Sequence, residues 1–262
     1  MNIKTALKYC NYKFFAKHRQ GHGIHSPFVY DLLTNIIEDE TPYYCFENIE
    51  KLRSDLLKNS ETISVTDLGA GSKKNKSNQR KIKDIAKFSM TTERNAQLLF
   101  RLVNHFKPHN IIELGTSLGL TSLYLSFPNK NANIYTIEGC PEIAKVASKI
   151  FAISNVPNIK QYVGNFDVKL PEVLHDAQQA DFVFFDGNHR KEPTINYFNM
   201  CLPHISENSV FIFDDIHWSQ GMEEAWNEIK QNEQVSTTID LFFVGIVFFK
   251  KDLQKQDFVI KF

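Results

Sequence analysis

Five carboxylates stand where apolar runs break off. Ile111-Ile112-Glu113, Ile134-Tyr135-Thr136-Ile137-Glu138, Phe182-Val183-Phe184-Phe185-Asp186 and Val210-Phe211-Ile212-Phe213-Asp214-Asp215 each read as a strand that ends in acid. An ionised carboxylate offers acceptor oxygens only, so each can take protons from a ligand or meet a cation. Glu138 follows Glu113 by 25 residues and ends the next strand, where its two oxygens suit the two hydroxyls of a ribose. Between them lies Leu114-Gly115-Thr116-Ser117-Leu118-Gly119-Leu120-Thr121, a strand, a tight turn and a helix start. Gly115 and Gly119 remove Cβ atoms from that turn and let a ligand approach bare backbone. Their Gly-x-x-x-Gly spacing is not the Gly-x-Gly-x-x-Gly of dinucleotide sites, and no Walker lysine follows, so phosphate cradling is not indicated. An ordinary βα turn of an α/β protein has the same look.

Asp186, Asp214 and Asp215 end neighbouring strands. Packed together, three carboxylates repel and raise one another's pKa. A hard divalent cation such as Mg2+ removes that repulsion and takes oxygen ligands. The alternatives are that these aspartates cap helices or hydrogen-bond an organic ligand without metal. With Gly164 and Asn165, which follow the Ile159–Val163 run, they complete a set of polar strand ends.

These ends need strands and helices in alternation to hold them. Thr92-Glu93 starts a helix with Ala96, Leu99, Val103 and Phe106 on one face, and Pro108 stops it. Pro141 opens another with Ile143, Val146, Ala147 and Ile150 inward. A helix near Thr194 to Cys201 and one marked by Met222, Ala225, Trp226 and Ile229 follow, before two β-rich runs from Thr237 to Phe243 and Gly245 to Lys250. Alternation of this kind predicts a doubly wound α/β sheet with mostly parallel strands, binding ligands beyond the strands' carboxyl ends. Three regions are expected: a helical extension over 1–60, an insertion or loop segment over 61–90, and the α/β domain over 91–262.

The extension holds a helix start at Ser26-Pro27, and before it His18, His22 and His25. Those histidines are either a polar, glycine-bent connector or a cover for the site, because nothing completes a metal ligand set. In the insertion, Asp67-Leu68-Gly69-Ala70-Gly71-Ser72 imitates the glycine turn but runs into a basic stretch, Lys73 to Lys81, rather than an apolar helix face. It reads as a loop or hairpin whose basic residues either meet an anionic substrate or face solvent. Equal numbers of basic and acidic residues, 30 each, give no global reason to expect nucleic acid or an anionic membrane as partner. Cys10, Cys45, Cys140 and Cys201 form no C-x-x-C pair and read as reduced thiols of a cytoplasmic protein. No stretch reads as a signal peptide or a membrane span.

Taken together, Glu113-Leu114-Gly115, Glu138, Gly164, and Asp186 with Asp214-Asp215 resemble the class I S-adenosylmethionine-dependent methyltransferases. Within them, the pattern is similar to the cation-dependent O-methyltransferases of the catechol and caffeoyl-CoA type, over about residues 88–250. The resemblance implies a Rossmann-like methyltransferase fold with a mostly parallel seven-stranded sheet, its last strand antiparallel, plus the N-terminal helical extension. It also implies S-adenosylmethionine as cofactor, a divalent cation, and O-methylation of a small-molecule hydroxyl. Glu113, Gly115, Ser117, Gly119 and Thr121 would surround the methionine part, and Met90-Thr91 would line it from another segment. Glu138 would hold the ribose, Gly164, Asn165 and Phe166 would flank the adenine, and Asp186 would border both cofactor and metal. Asp186, Asp214 and Asp215 would be the metal ligands.

Two positions depart from that family. Asp215 stands where Asn is usual, and His189, in Asp186-Gly187-Asn188-His189-Arg190, stands where catechol and caffeoyl-CoA types have Lys. The change is similar to sugar- and antibiotic-modifying branches, in which an Asp-Gly-x-His pattern supplies a histidine base, and an imidazole titrates in the right range for that work. Arg190 and Lys191 either orient an anionic acceptor or face solvent, and His217-Trp218 sit where an acceptor is expected. Two other readings stay open: a metal-independent methyltransferase acting on nitrogen, RNA or protein, and a non-catalytic cofactor-binding protein. The amphipathic N-terminal helices leave a homodimer open as well.

Overall fold

Capped helices and apolar strands alternate along the chain. The computed structural model describes residues 3–16, 23–66 and 78–262. In chain order its first elements are α1 (Ile3–Phe15), α2 (Pro27–Leu32, continued by a π turn), α3 (Phe46–Lys58), β1 (Thr62–Ser64), β2 (Gln79–Lys81), α4 (Ile82–Ser89) and α5 (Glu93–Phe106). Then follow β3 (Asn110–Leu114), α6 (Leu120–Ser126), β4 (Asn133–Glu138), α7 (Pro141–Ile153), β5 (Ile159–Val163) and α8 (Phe166–Ala177). The remainder is β6 (Phe182–Phe185), α9 (Lys191–Cys201), β7 (Val210–Asp214), α10 (Gln220–Gln231), β8 (Thr237–Asp240), β9 (Val244–Phe248) and β10 (Gln256–Val259). Side-chain oxygens of Ser26, Thr92, Asn165 and Ser219 cap α2, α5, α8 and α10, satisfying backbone N–H groups that have no partner inside the helix.

The main sheet has eight strands in the order β10-β8-β9-β7-β6-β3-β4-β5. Strands β3, β4 and β5 pair parallel, as do β6 with β7, while β9 is antiparallel to both β7 and β8. The seven strands expected are β3 to β9, with β9 the antiparallel last one. The count of seven is corrected to eight: Gln256–Val259 adds parallel to β8. That strand is short, and only one of its four residues is even half-buried, so it carries no apolar signal.

Contacts divide the chain into two units, residues 1–41 with 181–262, and residues 42–180. In the first, β6 and β7 are apolar on both faces because helices cover the sheet, and the Phe185 and Phe213 rings stack 4.3 Å apart. In the second, α5, α6 and α7 bury Phe100, Leu120, Leu123, Tyr124 and Ala147 in one cluster that also takes Phe46 and Ile49 from α3. The expected hairpin of the insertion is β1 paired antiparallel with β2, with Ile63 opposite Arg80. The stretch from Asp67 to Ser77 lies outside the described residues, as do His18 and His22. Among the described residues no helix is long and apolar enough to cross a membrane, and all four cysteines are free.

Candidate functional site

In unit 42–180 the glycine turn is held from below by hydroxyls. Glu113 is fully buried at the end of β3. Its Oε2 accepts hydrogen bonds from the Ser122 hydroxyl and from Thr136 Oγ1, the latter at 2.6 Å, and Thr116 Oγ1 lies 2.5 Å from Thr136 Oγ1. Its Oε1 is buried with no hydrogen-bond partner. Burial pushes the carboxyl up to about 7 against the pull of the Ser122 and Thr136 hydroxyls, and the Glu138 charge adds to the rise. Above Glu113, Gly115 and Gly119 take φ of +110° and +85°, and Ser117 takes +48°. A Cβ at Gly119 would lie 2.7 Å from the Phe151 ring, so this position requires glycine for space and for backbone.

That backbone path aims Ser117 N–H at Glu138, whose Oε2 accepts it at 2.9 Å, while Oε1 accepts Cys140 N–H at 2.9 Å. Glu138 is half-buried, with one backbone donor on each carboxylate oxygen. Gly164, at φ +146°, donates its N–H to the Glu138 carbonyl at 2.9 Å, which brings the β5 turn beside the β4 end. Asn165 is spent on capping α8 through Asp167 N–H, and Phe166 is half-buried at the helix start. Met90 ends α4, and Thr91 is buried with its hydroxyl 3.2 Å from that of Thr121. Ser89 Oγ lies 3.0 Å from Ser117 Oγ. The structure therefore gathers Thr91, Glu113, Gly115, Ser117, Gly119, Thr121, Glu138 and Gly164 around adjoining turns.

In unit 1–41 with 181–262, the second set of strand ends is packed differently. Asp214 lies beside Asp186, and burial, with the Asp215 charge, pushes Asp214 up to about 8 against the pull of Asp186. Asp215 takes φ +55°, and burial raises its pKa against the pull of His189. His189 Nε2 lies 3.6 Å from Asp186 Oδ1, and burial lowers the imidazole pKa while Asp215 opposes that. Asn188, also left-handed at φ +60°, donates to Tyr197 Oη and accepts from Arg190 Nε, which fixes the loop that carries His189. Lys191 is engaged by Glu224 at 3.2 Å and Glu228 at 3.7 Å on α10, so it serves the packing of α9 on α10.

Among the described residues no group of three or more His, Cys, Asp or Glu is arranged to hold a metal. Trp218 is 46% exposed. His217 lies between Glu223 at 3.1 Å and Asp240 at 2.8 Å and stacks on Phe242. Burial disfavours its charge, but the two carboxylates outweigh burial and raise its pKa. Sequence reasoning missed Ser122, Thr136, Cys140 and Asp240. Their types are ordinary, and only the fold brings them to these acids.

Comparison with known proteins points one way. A family described as "Methyltransferase domain" matches residues 112–216, the stretch from β3 to just past Asp215. The chain is 31% identical over 156 residues to "Uncharacterized protein R132" of Acanthamoeba polyphaga mimivirus, spanning 54% of this chain and 69% of the relative. Among solved structures it is similar to an O-methyltransferase from Bacillus cereus in complex with SAH, at TM-score 0.56 and 17% identity over 84% of this chain and 96% of that one. It is also similar to the O-methyltransferase TomG from Streptomyces achromogenes, in complex with SAM, at TM-score 0.54 and 20% identity over 62% and 82%.

Proposed function

We propose that this chain, a relative of the methyltransferase-domain family that matches residues 112–216, is a class I S-adenosylmethionine-dependent enzyme that methylates a hydroxyl oxygen of a small molecule with the help of a divalent cation. The observation that carries the cofactor half is Glu138, held by Ser117 and Cys140 N–H groups beside a turn that admits no Cβ at Gly119. The residues fit the cofactor. Glu138 is a carboxylate of the type that takes the hydroxyls of a ribose diol, the left-handed glycines leave room for close approach, and the orphaned Oε1 of Glu113 fits a donor such as an ammonium. Ser117, Thr91 and Thr121 supply hydroxyls around the methionine part, and the Gly164 turn, with Asn165 and Phe166, borders the adenine.

Bound S-adenosylmethionine supplies an electrophilic methyl on sulfur. What is left for the chain is to orient the acceptor oxygen and receive its proton. His189 is the group for that: its Nε2 is free of a backbone bond, and Asp186 at 3.6 Å can stabilise the imidazolium that forms. The carboxylate oxygens of Asp186 and Asp214 are the donor type a hard cation takes, and positive charge there would offset the repulsion that Asp214 meets from Asp215. There it would supply positive charge to an ionised hydroxyl. Asp215 is the further carboxylate in reach of the cluster through His189.

The test is transfer of labelled methyl from S-adenosylmethionine to a panel of phenolic and sugar hydroxyls, with Mg2+ and with EDTA. Transfer to oxygen that EDTA stops is the expected result, and transfer only to nitrogen would overturn the reading. The His189–Asp186 approach also supports a metal-independent transferase, and turnover that survives EDTA decides for it.

A further inference from the structure

Helix α3 lies outside the matched methyltransferase stretch, yet one of its side chains reaches the cofactor segment. Phe46, Ile49 and Leu56 pin one face of α3 into the core of its unit. Glu50 and Arg53 stand beside that face. Tyr124 of α6 donates its hydroxyl to Glu50 Oε1 at 2.8 Å. Burial, then the Glu50 bond, raises the Tyr124 pKa, so that hydroxyl keeps its proton. Both Glu50 oxygens accept Arg53 Nε, at 3.0 and 2.8 Å. Arg53 Nη1 then donates to the carbonyl of Thr91 at 3.0 Å. The Arg53 side chain is only 14% exposed, so this fork is screened from water more than a surface pair would be.

We propose that Arg53 is a positioning residue for the methionine end of the cofactor site, acting by fixing Thr91. The carbonyl of Thr91 is held by Arg53, and its hydroxyl meets that of Thr121 in the first turn of α6. The same α6 carries Tyr124, so Glu50 and Arg53 tie the α4–α5 connection and α6 to one rigid helix. A planar guanidinium is needed, because one edge grips a carboxylate while another N–H reaches a carbonyl. Lysine keeps the charge and loses the fork. The inference rests on the cofactor reading above, and it concerns one end of the cofactor only.

Two ligands separate that end from the rest. S-adenosylhomocysteine carries the amino-acid part, and methylthioadenosine has the same nucleoside without it. Isothermal titration of both into wild type, Arg53→Gln and Arg53→Lys is the experiment. Arg53→Gln is expected to weaken S-adenosylhomocysteine by about tenfold. It is expected to weaken methylthioadenosine by less than about twofold, with Arg53→Lys between wild type and Gln. Equal loss for both ligands, or no loss for either, overturns the inference while leaving the cofactor reading intact. If Arg53→Gln does not fold, the Arg53→Lys ratio decides alone by the same criterion. Wild type that binds neither ligand overturns the cofactor reading itself.

Discussion

Two acidic strand ends, Glu138 and Asp214, meet their surroundings in opposite ways. Glu138 is already served: a backbone N–H sits on each oxygen, and the neighbouring turns are joined to it by hydrogen bonds. Asp214 is buried against another acid, and its pKa is pushed up to about 8. The first is a cradle built before its ligand arrives, at little reorganisation cost. The second is a cluster whose charge is unsettled until a cation or a substrate settles it. On the proposed function, the methyl donor falls to the hydrogen-bonded turn and the acceptor proton to the buried acid cluster.

The widest break in this comparison comes at His189. His189→Ala is expected to slow methyl transfer by about 10²–10⁴-fold, as loss of a general base does. The same variant is expected to leave the affinity for S-adenosylhomocysteine within about twofold of wild type. Turnover is read with the acceptor found in the hydroxyl panel, affinity by calorimetry. A matching loss in both would mean that the histidine loop shapes the cradle too.

Next is a stability effect of the buried acid beneath the cradle. Glu113 has its pKa at about 7 in the fold against an ordinary 4.5. Between these values the folded state holds more protons than the unfolded chain, so stability falls as pH rises through that window, by about 3 kcal/mol in total. Asp214 contributes with the same sign, so the wild-type slope alone does not isolate Glu113. Urea unfolding of wild type and Glu113→Gln at pH 5 and 8 does: the drop between the two pH values should shrink in the variant. An unchanged drop would show that Glu113 is ionised in the fold, and the cradle would then be less preorganised than described.

A smaller effect is steric. Gly119→Ala places a Cβ 2.7 Å from the Phe151 ring and 3.1 Å from Ala147 Cβ, on backbone at φ +85°. The expected loss is about 1–3 kcal/mol of folding stability, seen as a lower urea midpoint at constant slope. A neutral Gly119→Ala would mean that Phe151 yields readily and that the turn is not tightly set.

The two regions were not equally legible in the amino-acid order. The acids at Glu113, Glu138, Asp186 and Asp214 announce themselves because apolar runs end at them, and caps such as Thr92 and breakers such as Pro108 mark the helices between. Those signals are local, within a few residues. The hydroxyls under Glu113 come from Ser122 and Thr136, and Arg53 stands 38 residues from Thr91, so no local pattern joins them. Helix α4 was missed for another reason. Its inward residues, Ile82, Ile85 and Ala86, are few and directly follow a basic run that reads as loop. The left-handed turn at Asp215 was hidden as well, because nothing about an Asp-Asp pair tells that the second takes that conformation.

The measurement that bears most directly on the cradle is titration of S-adenosylhomocysteine into wild type and Glu138→Ala. Glu138 is the proposed ribose partner, and its carboxylate accepts Ser117 N–H from the glycine turn. Wild type should bind, and Glu138→Ala should bind roughly 100-fold more weakly, because two charged hydrogen bonds are lost. A wild-type protein that shows no heat of binding, or an alanine variant that binds equally well, would contradict the assignment of this turn to the methyl donor.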